Sequence, residues 1–158
     1  MMKLVTREDI EAPLATVFAA FADTETWERA ALRRGAEVTR VDRLATFGPG
    51  MAWAVAFDHR GKTRKMTVKL SKAEVPNALG FEFSAPSVEG TVALDFVELG
   101  PRRTRVSVLS EVKPRTLAAR LVMQSMKLAR GKVEQKYATR IAMICGEIED
   151  RLRGAPTR

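Results

Sequence analysis

Residues 9–27 read DIEAPLATVFAAFADTETW, and their order decides the fold. An extended, charged segment from Lys3 to Ala12 leads in, with Leu4, Thr6 and Ile10 sharing one parity. Pro13 stops it and suits a first helical position, where its missing N–H costs nothing. Val17, Phe18 and Phe21 give that short helix one apolar side. Asp23 or Thr24 caps a second helix, and Glu25 or Glu28 in its first turn suits the helix dipole. Trp27, Ala30 and Ala31 ride on it, and Gly35 ends it.

Beyond Gly35 the apolar period changes to two. Strands are read in AEVTRVDRL (36–44), MAWAVAFDH (51–59), TRKMTVKLSKAEV (63–75), FEFSA (81–85), TVALDFVEL (91–99) and TRVSVLSEV (104–112). Short turns rich in Gly and Pro separate them, which argues an antiparallel meander with one apolar face. Trp53, Val55 and Phe57 share a face, as do Met66, Val68 and Leu70, with Arg64 on the same parity. Phe81 and Phe83 point inward, followed by Val92, Leu94 and Phe96, then Val106, Val108, Ser110 and Val112.

Pro114 ends the sheet, and Arg115 to about Arg153 reads as one long helix, bent at Gly131 if anywhere. Ala119, Met123, Met126, Arg130, Val133, Tyr137, Ile141, Ile144 and Ile148 form its main stripe. Leu117, Leu121 and Leu128 lie nearly opposite, and contact with the sheet edge or loops is the simplest expectation for them. A pocket cover, a homodimer surface and an anionic membrane contact are the alternatives. The expected architecture is α+β: a curved antiparallel sheet of about seven strands around a long C-terminal helix. The early helix pair plugs one end of the trough. Residues 1–153 make one domain, and 154–158 a frayed tail.

At 158 residues and 46% hydrophobic content the chain is long enough for a real core. It has no apolar run able to span a membrane, and the charged MMKLVTREDI start is unlike a signal peptide. A cytoplasmic location is expected. Cys145 is the single cysteine, so no intrachain disulfide forms. The net charge of +8 is spread over nearly every segment, which reads as a soluble basic surface before an anionic partner. One His and one Cys cannot build a zinc site, and calcium loops, phosphate loops and dinucleotide fingerprints are missing. No metal or cofactor is expected. Nor is nucleic acid, for want of a recognition helix.

Ala12, Pro13, Val17, Phe18, Asp23 and Trp27, together with the order of elements, resemble the START-related SRPBCC superfamily. This includes birch-pollen-allergen-like proteins and the polyketide cyclase/dehydrase group. The resemblance covers the whole chain as an order of elements, while the motif reports strand-to-helix packing. It implies a helix-grip fold around an elongated, mostly apolar cavity that takes lipids, sterols, polyketides or hormones. The superfamily shares no catalytic motif, so no catalytic residue is carried over.

Under that expectation the cavity lies between the sheet and the C-terminal helix. Its candidate walls are Trp53, Val55, Met66, Val68, Phe81, Phe83, Val92, Phe96, Val108, Met123 and Met126. Arg64, Arg130 and Tyr137 are the candidate polar contacts, an arginine holding a ligand carboxylate in fork geometry. Simple core packing and a snorkelling arginine are the plainer alternatives. His59 reads as a turn residue and Cys145 as a small buried one.

Three functions follow in order of preference. The first is a binding module for a small hydrophobic or amphipathic ligand of the lipid, polyketide or aromatic-acid class. The second is a cyclase, dehydratase or hydrolase, for which Glu8, Asp58, His59, Arg64, Arg130 and Tyr137 are thin acid–base candidates. The third is an interaction protein with a filled core.

Overall fold

A computed structural model describes residues 1–154. The expectation of a tail from 154 onward lies outside these for residues 155–158. Strand β1 (Met2–Ile10) is followed by helices α1 (Leu14–Ala22) and α2 (Thr24–Arg33). Strands β2 (Glu37–Arg40), β3 (Ala52–His59), β4 (Lys62–Glu74), β5 (Ala78–Ser84), β6 (Val88–Gly100) and β7 (Arg103–Pro114) come next. Helices α3 (Leu117–Leu128) and α4 (Arg130–Leu152) complete the described chain.

The seven strands form one antiparallel sheet in the order β1-β7-β6-β5-β4-β3-β2. The first strand pairs with the last, from Met2 opposite Val112 to Ile10 opposite Thr104. Strands β1 and β2 are therefore opposite edges of the sheet. The helix pair carries the chain from one edge to the other, which explains its place directly after β1. At the entry to α1, the buried Thr104 hydroxyl donates to Ala12 O at 2.8 Å and fixes the strand end. Asp23 caps α2: the Thr26 hydroxyl donates to its carboxylate at 2.6 Å and the Thr26 N–H at 3.4 Å.

The meander follows its turns. Arg60 and Gly61 both take positive φ, 52° and 76°, between β3 and β4. That is the mirror-image two-residue turn whose twist matches a hairpin. Strand β2 stops four residues short of the expected 36–44 strand. Asp42 takes over: it accepts from Arg40 at 2.6 and 2.7 Å, from Leu44 N at 2.9 Å and from Ala52 N at 2.8 Å. A carboxylate satisfying its own neighbours' N–H groups turns the backbone away from the ladder.

The long helix is broken at Ala129 (φ −109°, ψ 35°), not at Gly131. Segment α3 packs on β7 and α4 on β1, and one straight rod cannot follow two strands of a curved sheet. Cys145 and Ile148 bury the α4 face, and Met123 that of α3. The stripe of Leu117, Leu121 and Leu128 does not meet the sheet edge or loops. These residues are 72%, 57% and 91% exposed. The core is centred on α1 and strands β6 and β7. Phe96 meets Phe18 edge-on, and Phe21 in turn, each at 5.4 Å between ring centroids.

Candidate ligand-binding site

Helix α2 has no fully buried residue, although its inner side carries Trp27, Ala30 and Ala31. The reason is an open cavity of about 270 Å³ between α2, the end of α1 and strands β2 to β6. Its volume lies just below the usual range of ligand sites, which run from about 300 Å³ upward. Phe21 and Trp27 form the helix side. Val38, Trp53, Val55, Val68, Phe81 and Leu94 form the floor, one or two from each strand. Strict alternation along antiparallel strands brings them to one face: Val38 opposite Val55, Trp53 opposite Val68.

Only two of the lining residues are polar, Thr24 and Glu28, one turn apart on α2. Glu28 is held in place by Trp53, whose indole N–H donates to Oε2 at 3.0 Å. The Arg40 guanidinium lies 5.9 Å from the centroid of the Trp53 ring. Arg40 is itself committed to Asp42, so its charge is neutralised beside the cavity. The Asp42 carboxyl is held well below the usual carboxylate range, first by the Arg40 hydrogen bonds and then by the Ala52 N–H. Trp27 is anchored in turn by its indole N–H, which donates to Phe21 O at 3.1 Å. Both tryptophans of the chain thus form walls of this one cavity.

The candidate residues read from the sequence divide. Trp53, Val55, Val68 and Phe81 lie on the cavity wall. Phe96 and Val108 are buried in the core, with Val92 packed against it. Phe83 lies across Gly90, where an added Cβ would stand 2.6 Å from its ring. The missing side chain of Gly90 leaves room for the ring there. Met66 borders a shallower cleft with Ser84 and Arg115. Met123 is buried and Met126 half-buried beneath α3.

The cavity lies beneath α2, and no residue of α3 or α4 lines it. At the expected position under the C-terminal helix, α4 packs on β1, with Cys145 and Ile148 buried in the core. Tyr137 is half-buried there, its hydroxyl 2.8 Å from that of Ser110. Burial raises its phenol pKa, and the Ser110 hydrogen bond partly offsets this. Arg130 is exposed outside the cavity. It sits 3.5 Å from Glu134 and donates to Lys3 O at 3.4 Å, because the break at Ala129 turns it off the inner stripe. Arg64 is also exposed, on a strand end beyond the cavity floor.

Glu28, Thr24, Phe21, Trp27, Val38 and Leu94 were not singled out as wall residues by sequence. The sequence marks Glu28 only as a helix-dipole residue. Its spacing of one turn from Thr24 was the available signal, and only the fold shows which way that face points.

The acid–base candidates do not converge. Asp58 accepts from the Thr63 hydroxyl at 2.9 Å, His59 is exposed, and Arg130 pairs with Glu134. Cys145 is buried, and its thiol is pushed up to about 12 by desolvation, with Glu8 and Glu149 adding to the rise.

Comparisons place this geometry among known proteins. A family model described as polyketide cyclase/dehydrase and lipid transport matches residues 1–143. An aromatase/cyclase from a Streptomyces species is similar at 17% identity and TM-score 0.68, over 99% of each chain. A Thermus thermophilus protein matches at 17% identity and TM-score 0.64, over 99% of this chain and all of its own. A START superfamily protein from Mycobacterium smegmatis matches at 11% identity and TM-score 0.58, over 85% of this chain and 95% of its own. At these identities the structures show the shared helix-grip fold. No curated protein matches the sequence.

Proposed function

Since this chain belongs to the polyketide cyclase/dehydrase and lipid-transport family, we propose that it holds a small, mostly apolar ligand in the cavity beneath α2. The carrying observation is the wall itself: aromatic and aliphatic on nearly every side, with Thr24 and Glu28 the exceptions. Such a wall gives affinity by burial, and its few polar groups give orientation. Burying on the order of 200 Å² of apolar ligand surface at about 25 cal/mol per Å² contributes about 5 kcal/mol. The ligand's lost translational and rotational freedom is set against this, so a Kd no tighter than the hundred-micromolar range is expected.

Glu28 sets the polar end of that ligand. An ionised carboxylate only accepts hydrogen bonds, and one of its oxygens already serves Trp53. The favoured ligand therefore carries a donor, a phenolic or alcoholic O–H or an amine, rather than an acid. This reverses the arginine–carboxylate reading, since neither Arg64 nor Arg130 lines the cavity.

Binding is preferred over catalysis because Glu28 is the one ionisable group among the lining residues. It has no acid–base partner there.

The two tryptophans supply the test, since all indole emission comes from the cavity wall. Titration with 2-naphthol is expected to quench fluorescence in the hundred-micromolar range, and 2-naphthoate to bind more weakly. Glu28→Gln narrows that difference, and Val68→Phe fills the cavity and weakens both ligands at least tenfold. Tighter binding of 2-naphthoate would overturn the Glu28 role. Equal binding to wild type and Val68→Phe would remove the cavity from the account.

A further inference from the structure

Helix α3 presents its apolar residues to solvent. At about 100° per residue, Leu117, Leu121 and Leu128 fall within about 40° of one another. Their exposures of 72%, 57% and 91% confirm that they form the outward crest. Met123, on the opposite side, is buried, so the inner contact is already made and the crest is left over. A surface helix ordinarily shows the reverse pattern, polar side chains outward.

The charge around the crest has one sign. No acidic residue occurs between Glu111 and Glu134, while Lys113, Arg115, Arg120, Lys127, Arg130 and Lys132 all fall in that interval. Arg120 and Lys127 stand about 80–100° to one side of the leucines. With Lys113 they line a groove of about 410 Å³ beside α3, shared with Met1, Pro114, Met123 and Gln124 and with no acidic side chain. Among the described residues Lys113, Arg120 and Lys127 make no ion pair. An apolar crest with unpaired cations beside it is the pattern of a helix that lies in a bilayer interface. Leucines enter the acyl boundary and cations meet the headgroups.

We propose that α3 docks the protein reversibly on an anionic lipid surface, with Leu117, Leu121 and Leu128 inserted and Lys113, Arg120 and Lys127 against acidic headgroups. A second copy of the chain fits less well. An antiparallel two-fold contact through the leucines would set Arg120 and Lys127 on the same side as those of the other copy, and like charges repel. The inference is independent of the cavity, since no residue of α3 lines it.

Co-sedimentation of the full chain with vesicles of phosphatidylcholine alone or mixed with phosphatidylglycerol tests it. The expected result is partition onto the phosphatidylglycerol vesicles only, weakening with salt. Arg120→Gln and Lys127→Gln should each lower partition roughly fivefold. A triple Leu117→Ser, Leu121→Ser, Leu128→Ser variant should lose it. Because those leucines are exposed, circular dichroism and 2-naphthol quenching should stay at wild-type values. Three outcomes overturn the proposal. One is no partition by the wild type. Another is a triple-serine variant that partitions as well as wild type, which reduces the effect to net charge. The third is a dimer that the triple variant dissolves while vesicles bind neither protein.

Discussion

Cys145 shows how environment decides what a residue can do. A thiolate is the reactive form, and burial among Ile148 and its neighbours disfavours it, as do the nearby carboxylates of Glu8 and Glu149. At pH 8 the native protein is expected to resist 5,5′-dithiobis(2-nitrobenzoate) and to release one equivalent of chromophore only after denaturation. Prompt labelling of the folded chain would contradict the packing of α4 on β1. Asp42 is the opposite case, a carboxyl whose charged form is stabilised by Arg40 and by two backbone N–H groups. A depressed folded pKa means that its contribution is present above the unfolded value of 3.8 and is lost as pH falls toward the folded one. The melting temperature should therefore decline below about pH 4. Asp42→Asn should melt lower than wild type at pH 7, with the gap closing toward pH 2. A constant gap across that range would detach the effect from titration.

At the scale of elements, the two C-terminal helices separate buried from exposed apolar residues. Ile148 on α4 is buried at 2% exposure, and Ile148→Ala should cost about 2–5 kcal/mol in a denaturant titration. Leu121 on α3 is 57% exposed, and Leu121→Gln should stay within about 0.5 kcal/mol of wild type. A loss above about 2 kcal/mol for Leu121→Gln would mean that its face is covered. The sequence pattern puts Ile148 on the main stripe and Leu121 nearly opposite, but a stripe at helical spacing does not say whether a partner exists. The break at Ala129 is equally silent in sequence. It answers the different directions of β7 and β1, which are set by sheet curvature rather than by a helix-breaking residue.

For the molecule as a whole, the cavity borders the core beneath α2, and Phe21, Trp53 and Leu94 belong to both. Strands β1 and β3 to β7 with α1, α3 and α4 hold the buried side chains, while α2 and β2 bury none completely. Hydrogen exchange is expected to be slowest in the first group and fastest in α2 and β2. A ligand in the cavity should then slow exchange in α2 more than in α4, and the reverse order would move the site. What the sequence by itself determined is local. Period-two strands, the Gly and Pro turns, the Pro13 break and the α1–α2 pair each follow from chain sterics and apolar spacing. From them the sheet, the trough and the inward face of Trp53, Val55, Val68 and Phe81 can be read. What only the tertiary structure decided is where the trough stays empty. Its volume depends on the distance between α2 and the sheet and on how tightly α4 seats on β1. Those distances come from many side chains packed at once, and no periodicity encodes them. The same holds for Glu28, whose carboxylate becomes a cavity group only because the Trp53 indole on a distant strand reaches it.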